Sequence, residues 1–334
     1  MMPEQFNINT LNKLFFSAFT FTAEVTEEII ISEYKGSTFR GGFGNSFKKL
    51  VCINPEEKNC LNCMINNSCS YFKIFEGSAD EKTRRRLKIT KTAPRPYVLE
   101  PPVTIKRKFD VGEVFQFNLI LVGWAVDYLP YFIIVFERLG ERYGIGKRIN
   151  GKRGKFKILN IRSSGKIIYS YDKKVLMQSE NKININSFEQ MRPAKRVKVN
   201  FITPTRLEVD GQIRMLENPE DFKTFIIRLY GRLFRLQEIY CSDSADEYSH
   251  SKIETMSKEV KLVHSNIHWT ELERVKKDYT REKVTKQKMK YGGFTGEVIF
   301  EGNIKPFLEI IKLGEYLHIG KHYTFGLGKY EILE

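Results

Sequence analysis

Histidine is scarce in this sequence and absent from its N-terminal half. The chain has 334 residues and 5 histidines, of which His250 comes first. Imidazole is the side chain whose ordinary pKa permits both proton donation and proton acceptance near neutral pH. This absence excludes histidine acid–base chemistry, and any histidine metal site, from every position before His250.

Long apolar runs are also missing. The longest, Phe117 to Val126, contains Asn118 and Gly123 and is followed by Asp127, whereas a membrane-spanning helix needs roughly 20 apolar residues. The opening ten residues lack the basic and apolar parts of a secretory signal. We therefore predict no membrane segment and a reducing, cytoplasmic location, in which cysteines stay as thiols.

Acidic residues are too few to balance the basic ones. The 40 aspartates and glutamates stand against 55 lysines and arginines, which gives a net charge of +15 and a pI near 9.4. Such a charge is typical of a protein that binds a polyanion, with nucleic acid as the first candidate and an anionic membrane surface as the second. The length and the apolar share of 41% predict two domains, each with its own core.

One stretch of the sequence occurs twice. The segments Leu139 to Leu159 and Leu313 to Leu333 align without a gap and agree at ten of 21 positions. Each follows a strand-like run and then a helix-like run, which predicts a duplicated α+β unit.

The remaining periodicity places the other elements. The first half is predicted to hold a strand over 14–25, a glycine turn that leads into a helix over 45–51, further strands over 155–161 and 166–172, and a linker over 178–192. In the second half a helix is predicted over 221–240, with Arg228, Arg232 and Arg235 on its polar face, and the charged run 275–290 is either RNA-binding or a solvated helix face. Both halves therefore read as β-α-β-β-α-β units of the ferredoxin type, with domains at 1–192 and 193–334.

Four of the five cysteines are close together in the sequence. Their spacing is Cys52-x7-Cys60-x2-Cys63-x5-Cys69, and four thiols at such spacing suit the tetrahedral coordination of Zn²⁺. Structural zinc is the first prediction for this insertion (52–69), an iron–sulfur cluster the second, and four unliganded thiols the alternative. Cys241 is predicted to be an ordinary core residue.

Several motifs together resemble a known family. "RGGFG" at 40–44, "CSYFKIFE" at 69–76, "FITPTRLEVDG" at 201–211 and "GKHYTFGLG" at 320–328 are similar to those of the CRISPR-associated precursor-RNA-processing endoribonucleases of the RAMP superfamily. The resemblance implies two tandem ferredoxin-like, RRM-like domains that bind CRISPR repeat RNA and cut it without a catalytic metal. It also implies attack by a ribose 2′-hydroxyl, which leaves a 2′,3′-cyclic phosphate.

The glycine-rich loop at 320–328 carries the candidate catalytic residues. His318 and His322 flank Gly320 and Lys321, whereas the first copy of the repeat has Gly144 and Arg148 at the two histidine positions. We predict that a histidine transfers the proton, with His318 as the first choice and His322 as the second, and that Lys321 stabilises the phosphate. The alternative is that both histidines are structural.

The predicted RNA contacts lie on both copies. They are the loop glycines and the basic cluster of the first copy, with one arginine of the N-terminal motif: Arg40, Lys147, Arg148, Lys152, Arg153, Gly320, Gly326 and Gly328. Family members often draw a catalytic histidine from the N-terminal domain, and this chain has none there. Tyr34, Lys35 or Arg40 would have to supply any such group.

Two other functions remain open. One is a non-catalytic RAMP subunit that binds guide RNA beside other CRISPR effector subunits, which the histidines of the loop disfavour. The other is a general RNA-binding protein with paired RRM-like sheets, although neither half contains the aromatic RNP signature of such proteins.

Overall fold

The structure is a computed structural model that describes residues 11–77, 79–89, 93–177, 181–188, 195–242, 250–279 and 284–333. For 274–279 and 284–289 it describes the backbone alone. Within these ranges no helix is both long and apolar enough to cross a bilayer. The predicted domain boundary at 192/193 lies outside the described residues.

The first of two compact units holds the described residues from Lys13 to Asn184, together with the end of one helix from Arg235. Its helices are α1 Gly36–Val51, α2 Glu81–Arg86 and α3 Leu129–Arg138. Its strands are β1 Phe15–Glu27, β2 Ile29–Ile30, β3 Tyr97–Glu100, β4 Lys108–Phe109, β5 Val114–Val122, β6 Ile145–Ile149, β7 Lys152–Ser163, β8 Lys166–Ser170 and β9 Ile183–Asn184.

The second unit holds the described residues from Ile185 to Phe234 and from His250 onward. Its helices are α4 Asp221–Tyr240, whose last turns belong to the first unit, α5 His250–Ser257 and α6 Leu308–Leu317. Its strands are β10 Arg196–Thr205, β11 Leu207–Val209, β12 Gln212–Arg214, β13 Val260–Thr270, β14 Glu273–Tyr279, β15 Val284–Lys290, β16 Gly293–Gly302 and β17 Tyr330–Leu333.

The two main sheets have the same strand order. It is β3-β5-β1-β7 in the first unit and β13-β16-β10-β17 in the second, and all of these neighbours are antiparallel. In both cases the second, third, first and fourth strands of a β-α-β-β-α-β unit lie side by side, which is the ferredoxin-like arrangement. The predicted fold of two tandem ferredoxin-like domains is confirmed.

Aromatic rings fill the core between helices and sheet in the first unit. Phe43 of α1 stacks on Phe132 of α3 with 4.8 Å between ring centroids, and Phe21 of β1 stacks on Phe117 of β5 at 4.8 Å. These rings are almost completely buried, so each contributes on the order of 2 kcal/mol of hydrophobic stabilisation. The alternating apolar positions of β1 and β5 predict this burial correctly.

The glycine turn predicted before residue 45 is wrong, because "RGGFG" lies inside α1. A Cβ atom at Gly42 would lie 2.9 Å from the Leu139 side chain, and one at Gly44 would lie 2.1 Å from the ring of Phe75. The glycines therefore allow neighbouring side chains to approach the helix backbone closely. That tertiary contact outweighs the low helix propensity of glycine.

Two further predictions need correction. In the predicted linker, Ile183–Asn184 forms a strand that pairs with Phe15 and Phe16 of β1, while 178–180 and 189–192 lie outside the described residues. The solvated helix predicted as one alternative for 275–290 is replaced by the antiparallel pair β14 and β15. Alternating β-branched and charged residues permit either structure, so periodicity alone cannot decide between them.

The close approach at Gly44 gives a stability prediction. Alanine normally stabilises a helix interior relative to glycine by about 1 kcal/mol. We expect Gly44→Ala instead to lower the free energy of unfolding by about 1–3 kcal/mol, because the new methyl group overlaps the Phe75 ring. Asn45→Ala, on the exposed side of the same helix, is the control and should be neutral or slightly stabilising in a urea titration, because alanine has the higher helix propensity. Equal stability of Gly44→Ala and the wild type would contradict the packing described here.

Candidate functional site

The repeated stretch has the same backbone path in both units. His318 follows α6 with φ 60° and ψ 166°, and Gly144 follows the corresponding helical turn with φ 68° and ψ 165°. Two residues further on, Gly320 and Gly146 have φ of 79° and 87°. The duplication read from the sequence is thus present in the backbone, and it continues into β17 and β7.

Glycines in the loop allow backbone segments to approach each other closely. A Cβ atom at Gly320 would lie 2.5 Å from the Arg206 carbonyl oxygen, and one at Gly328 would lie 1.8 Å from that of Ile319. The N–H groups of Gly326 and Gly328 already donate to Tyr323 O and Pro204 O, at 2.8 and 3.1 Å. Contact between the loop glycines and RNA stays a prediction. The N–H groups of Gly326 and Gly328 already donate within the protein.

His318 is completely buried. Its Nδ1 lies 3.0 Å from the carbonyl oxygen of Leu327, and because a carbonyl only accepts, Nδ1 carries the proton. The backbone angles of His318 fall in a region used almost only by glycine, at a cost of about 1–3 kcal/mol. The second copy therefore keeps a strained histidine where the first copy has glycine, and the ring fastens the two ends of the loop together.

Arg232 on α4 fixes the start of the same loop. Its Nε donates to Leu317 O and His318 O, both at 3.1 Å, and its second terminal nitrogen donates to Leu317 O at 2.7 Å. Its guanidinium also lies 3.3 Å from the centroid of the Tyr323 ring. Burial lowers the pKa of Arg232, and the Tyr323 hydroxyl opposes this shift.

The prediction that Arg232 lies on the polar face of α4 is wrong, since Arg228 and Arg235 are exposed and Arg232 is buried. Position 232 is three residues after Leu229 and seven after Phe225, so it falls on the apolar stripe of the helix. The sequence signal for this burial is a charged residue at a position on the apolar stripe of the helix. The carbonyl partners of Arg232 at the end of α6 are visible only in the folded unit.

His322 and Lys321 occupy the solvent side of the loop. His322 is half-buried in the left-handed conformation, and its ring packs edge-on against Tyr291 with 4.5 Å between centroids. The exposed ammonium of Lys321 pairs with Glu208. An imidazole and an ammonium on adjacent residues can move a proton and balance charge at one phosphate. Tyr291 and Glu208 were not identified from the sequence, because nothing in their local pattern marks them.

In the first copy, the equivalent segment forms a basic β-hairpin. β6 and β7 join through Asn150 and Gly151, whose φ values of 48° and 79° form the tight turn typical of Asn-Gly. Four exposed basic side chains surround this turn, and none makes an ion pair or hydrogen bond with a residue in the described part of the chain: Lys147, Arg148, Lys152 and Arg153. The predicted basic cluster is thus a compact cationic tip.

The N-terminal alternatives have structural contacts. Lys35 is buried, and its Nζ donates to Glu33 O at 2.8 Å and Thr104 O at 2.5 Å. Burial lowers the pKa of Lys35, and the Glu33 carboxylate opposes the shift. The Arg40 guanidinium lies 4.1 Å from the centroid of the Phe75 ring, and burial raises the pKa of Tyr34. A catalytic or RNA-binding role for any of these residues stays a prediction.

The four cysteines of the insertion line a single cleft. All four are half-buried free thiols. Among the residues that the structure describes, no three histidine, cysteine, aspartate or glutamate side chains already have the arrangement of a metal site. Cys241 lies elsewhere, with its Sγ 3.6 Å from Phe15 O, and burial raises the pKa of its thiol to about 12.

Comparison with solved structures places the fold in one class. The chain is similar to Cas6 from Thermus thermophilus in its product complex, with a TM-score of 0.54 and 11% identity over 95% of this chain and 100% of that one. It is also similar to a chain of a partial Cas6-RT-Cas1–Cas2 complex, with a TM-score of 0.56 and 11% identity over 97% of this chain and 47% of that one. The likeness is one of fold, and it agrees with the two tandem ferredoxin-like domains described above.

Comparison of sequences gives the family. A model described as the AF_1859 N-terminal domain matches residues 14–184, about half of the chain, and one described as CRISPR-associated endoribonuclease Cas6 matches residues 199–330. The chain belongs to the family of the first model, and its C-terminal part, residues 199–330, matches the CRISPR-associated Cas6 endoribonuclease domain. An uncharacterized protein of Archaeoglobus fulgidus is 29% identical over 176 residues, 51% of this chain and 55% of that protein. The chain thus spans about half the length of this curated relative.

The contacts of Arg232 give a second prediction. We expect Arg232→Met to lower the free energy of unfolding by about 1–3 kcal/mol, because it leaves the buried carbonyl groups of Leu317 and His318 without their donors. Arg228→Met, an exposed change on the same helix, should shift it by less than about 0.5 kcal/mol. Urea unfolding followed by circular dichroism measures both. Equal effects of the two changes would show that Arg232 does not hold the loop.

Proposed function

We propose that the protein cleaves CRISPR repeat RNA within precursor transcripts to release guide RNAs. The match to the Cas6 endoribonuclease domain supports this substrate, and the observation that carries the mechanism is the loop after α6. There an imidazole and an ammonium reach the surface on adjacent residues, His322 and Lys321. The N–H of Lys321 donates to Arg206 O, and those of Gly326 and Gly328 donate to Tyr323 O and Pro204 O, so in our proposal these two side chains form the reactive part of the loop.

The reaction that fits these groups is attack by the 2′-hydroxyl on the adjacent phosphate. A base takes the hydroxyl proton, the oxygen attacks phosphorus, and the 5′-oxygen leaves with a proton from an acid. The products are a 2′,3′-cyclic phosphate and a 5′-hydroxyl. His322 acts as the base or the acid, and Lys321 exchanges Glu208 for the phosphate and stabilises its developing charge. No metal takes part in this scheme.

His318 takes a supporting role in this proposal, although it was the first choice from the sequence. Its ring is fully buried and its Nδ1–H is donated to Leu327 O. A buried imidazole in this arrangement cannot touch a phosphate without the loop opening. The buried His318 and Arg232 therefore set the position of His322.

The cationic tip between β6 and β7 is proposed to bind the RNA backbone. Its four basic side chains are exposed and lack acidic partners in the described residues, so neutralising phosphates costs no existing ion pair. Binding there positions the RNA without reading its bases.

The alternative function is a RAMP subunit that binds guide RNA without cutting it, in company with other CRISPR effector proteins. One similar structure is a partial Cas6-RT-Cas1–Cas2 complex, which supports CRISPR proteins as partners of this chain. In either case we place the protein in the reducing cytoplasm, where its RNA would be made. Cleavage assays separate the two functions.

The catalytic proposal is tested at His322. We expect His322→Ala to lower the single-turnover cleavage rate of repeat RNA by about 10²- to 10⁴-fold, the usual effect of losing a proton-transfer group. RNA affinity should stay nearly unchanged, because the cations that bind phosphate remain. Cleavage by the wild type should persist in EDTA and leave a cyclic phosphate. A 2′-deoxynucleotide before the cut should abolish cleavage, because it removes the nucleophile.

The matched control is His250→Ala, which changes an exposed histidine on α5 and should cut at the wild-type rate. If His322→Ala cuts as fast as this control, the proton is transferred by another residue, with Tyr34, Lys35 and Arg40 the next candidates. If the wild type binds repeat RNA tightly and never cuts it, the binding-subunit function is correct instead.

The binding proposal is tested at the cationic tip. The double variant Lys152→Glu, Arg153→Glu should weaken repeat binding and reduce the slope of log K against log salt by roughly 2, because about two fewer counterions are released. Lys166→Glu with Lys173→Glu applies the same charge change to two exposed lysines away from the tip, one at the start of β8 and one after its end. This control should keep a steeper slope than the tip variant. Equal slopes would exclude the tip from the RNA footprint.

A further inference from the structure

The insertion after α1 has no apolar core of its own. Residues 52–69 form turns and one short helical turn. Three of their four large apolar side chains face solvent, with Ile53, Leu61 and Met64 exposed by 79%, 71% and 90%, and the fourth, Ile65, is only half-buried. Hydrophobic burial, the usual source of stability for a folded segment, is therefore nearly missing here. Some other interaction must hold the segment in place.

All four thiols of this segment face one cleft, together with other residues that include Ile65 and Asn66. Cys52, Cys60, Cys63 and Cys69 line one cleft of about 20 Å³, which is room for a body the size of a water molecule. Four thiols at one small cleft present the donor set that Zn²⁺ prefers in structural sites.

The four cysteines lie in turns and at the ends of helical segments. Cys52 ends α1, and its N–H donates to Lys48 O at 2.9 Å. Cys60 and Cys63 form a turn in which the N–H of Cys63 faces Cys60 O at 3.4 Å, and Cys69 begins the next helical segment by accepting from Lys73 N–H at 3.0 Å. Two pairs of ligands on short turns and helix ends are the usual way to enclose a tetrahedral ion.

The competing explanation treats the cysteines as small apolar residues. It accounts for Cys60 and Cys69, which pack against the hydrophobic core of the first unit. It leaves Cys52 and Cys63 unexplained, because they line the cleft without being among the residues packed on that core in the described structure. One metal ion bound by all four thiols would explain why each of them lines the cleft.

We propose that Cys52, Cys60, Cys63 and Cys69 bind one Zn²⁺ that fastens residues 52–69 to the end of α1. The thiols share the cleft but do not yet have coordination geometry, so binding draws them together and orders the segment as it does so. Four thiolates fill the coordination sphere, so the ion has no open position and takes no part in catalysis. This proposal is independent of the proposed function.

The test uses the full-length protein purified without added metal. Elemental analysis should find about one equivalent of zinc per chain. Exchange for Co²⁺ in the wild type should give the intense near-ultraviolet thiolate-to-metal bands and visible bands of a tetrahedral site. Cys60→Ser with Cys63→Ser should lower the zinc content to about one tenth or less, and Cys241→Ser, outside the insertion, should retain it.

Removal of the metal gives an independent readout if the serine variants fail to fold. Chelation of the wild type should make the 52–69 segment at least about tenfold more sensitive to protease, and added Zn²⁺ should restore protection. Folded wild-type protein without zinc would overturn the proposal, as would iron with visible absorbance in place of zinc. Full zinc content in the folded Cys60→Ser, Cys63→Ser variant would also overturn it.

Discussion

The guanidinium of Arg232 is the group on which the second loop depends. It satisfies the carbonyl groups of Leu317 and His318 where α6 ends, and it lies over the Tyr323 ring, 3.3 Å from the ring centroid. Helix ends leave carbonyl groups without partners, and a buried end without them is unstable. One buried charge thereby fixes both ends of the segment that presents His322. The cost of burying that charge is offset by its hydrogen bonds, so loss of either side leaves polar groups unsatisfied.

The two copies of the repeat have the same backbone path but different side chains. Glycines at 146 and 320 allow the same approach to a neighbouring carbonyl, from Ile30 and Arg206 respectively. In the first copy the following residues extend into a hairpin whose cations stay free in the described structure. In the second copy they form a compact loop closed by the His318 ring. The backbone conformation is the same in both copies, while the side chains differ, and on these differences rests our proposal that one copy binds RNA and the other transfers the proton.

The N-terminal unit illustrates the difference between a charged residue and a reactive one. Lys35 and Arg40 stand near the glycine motif of α1, yet one is bonded to two carbonyl groups and the other is stacked on Phe75. Buried cations with such partners stabilise a fold as readily as they catalyse a reaction. The exposed cations of the hairpin have no such engagement, which makes them the better candidates for RNA.

The sequence by itself determined the duplication, the ferredoxin-like order of elements, the helix at 221–240 and the basic hairpin residues, because these depend on local periodicity and on short motifs. It could not determine that "RGGFG" is helical, since that follows from Phe75 and Leu139 packing onto the glycines. Nor could it separate the two histidines of the loop. Only three residues lie between His318 and His322. The tertiary structure buries the first ring against Leu327 and leaves the second half-exposed, because burial is decided by contacts with other segments of the chain.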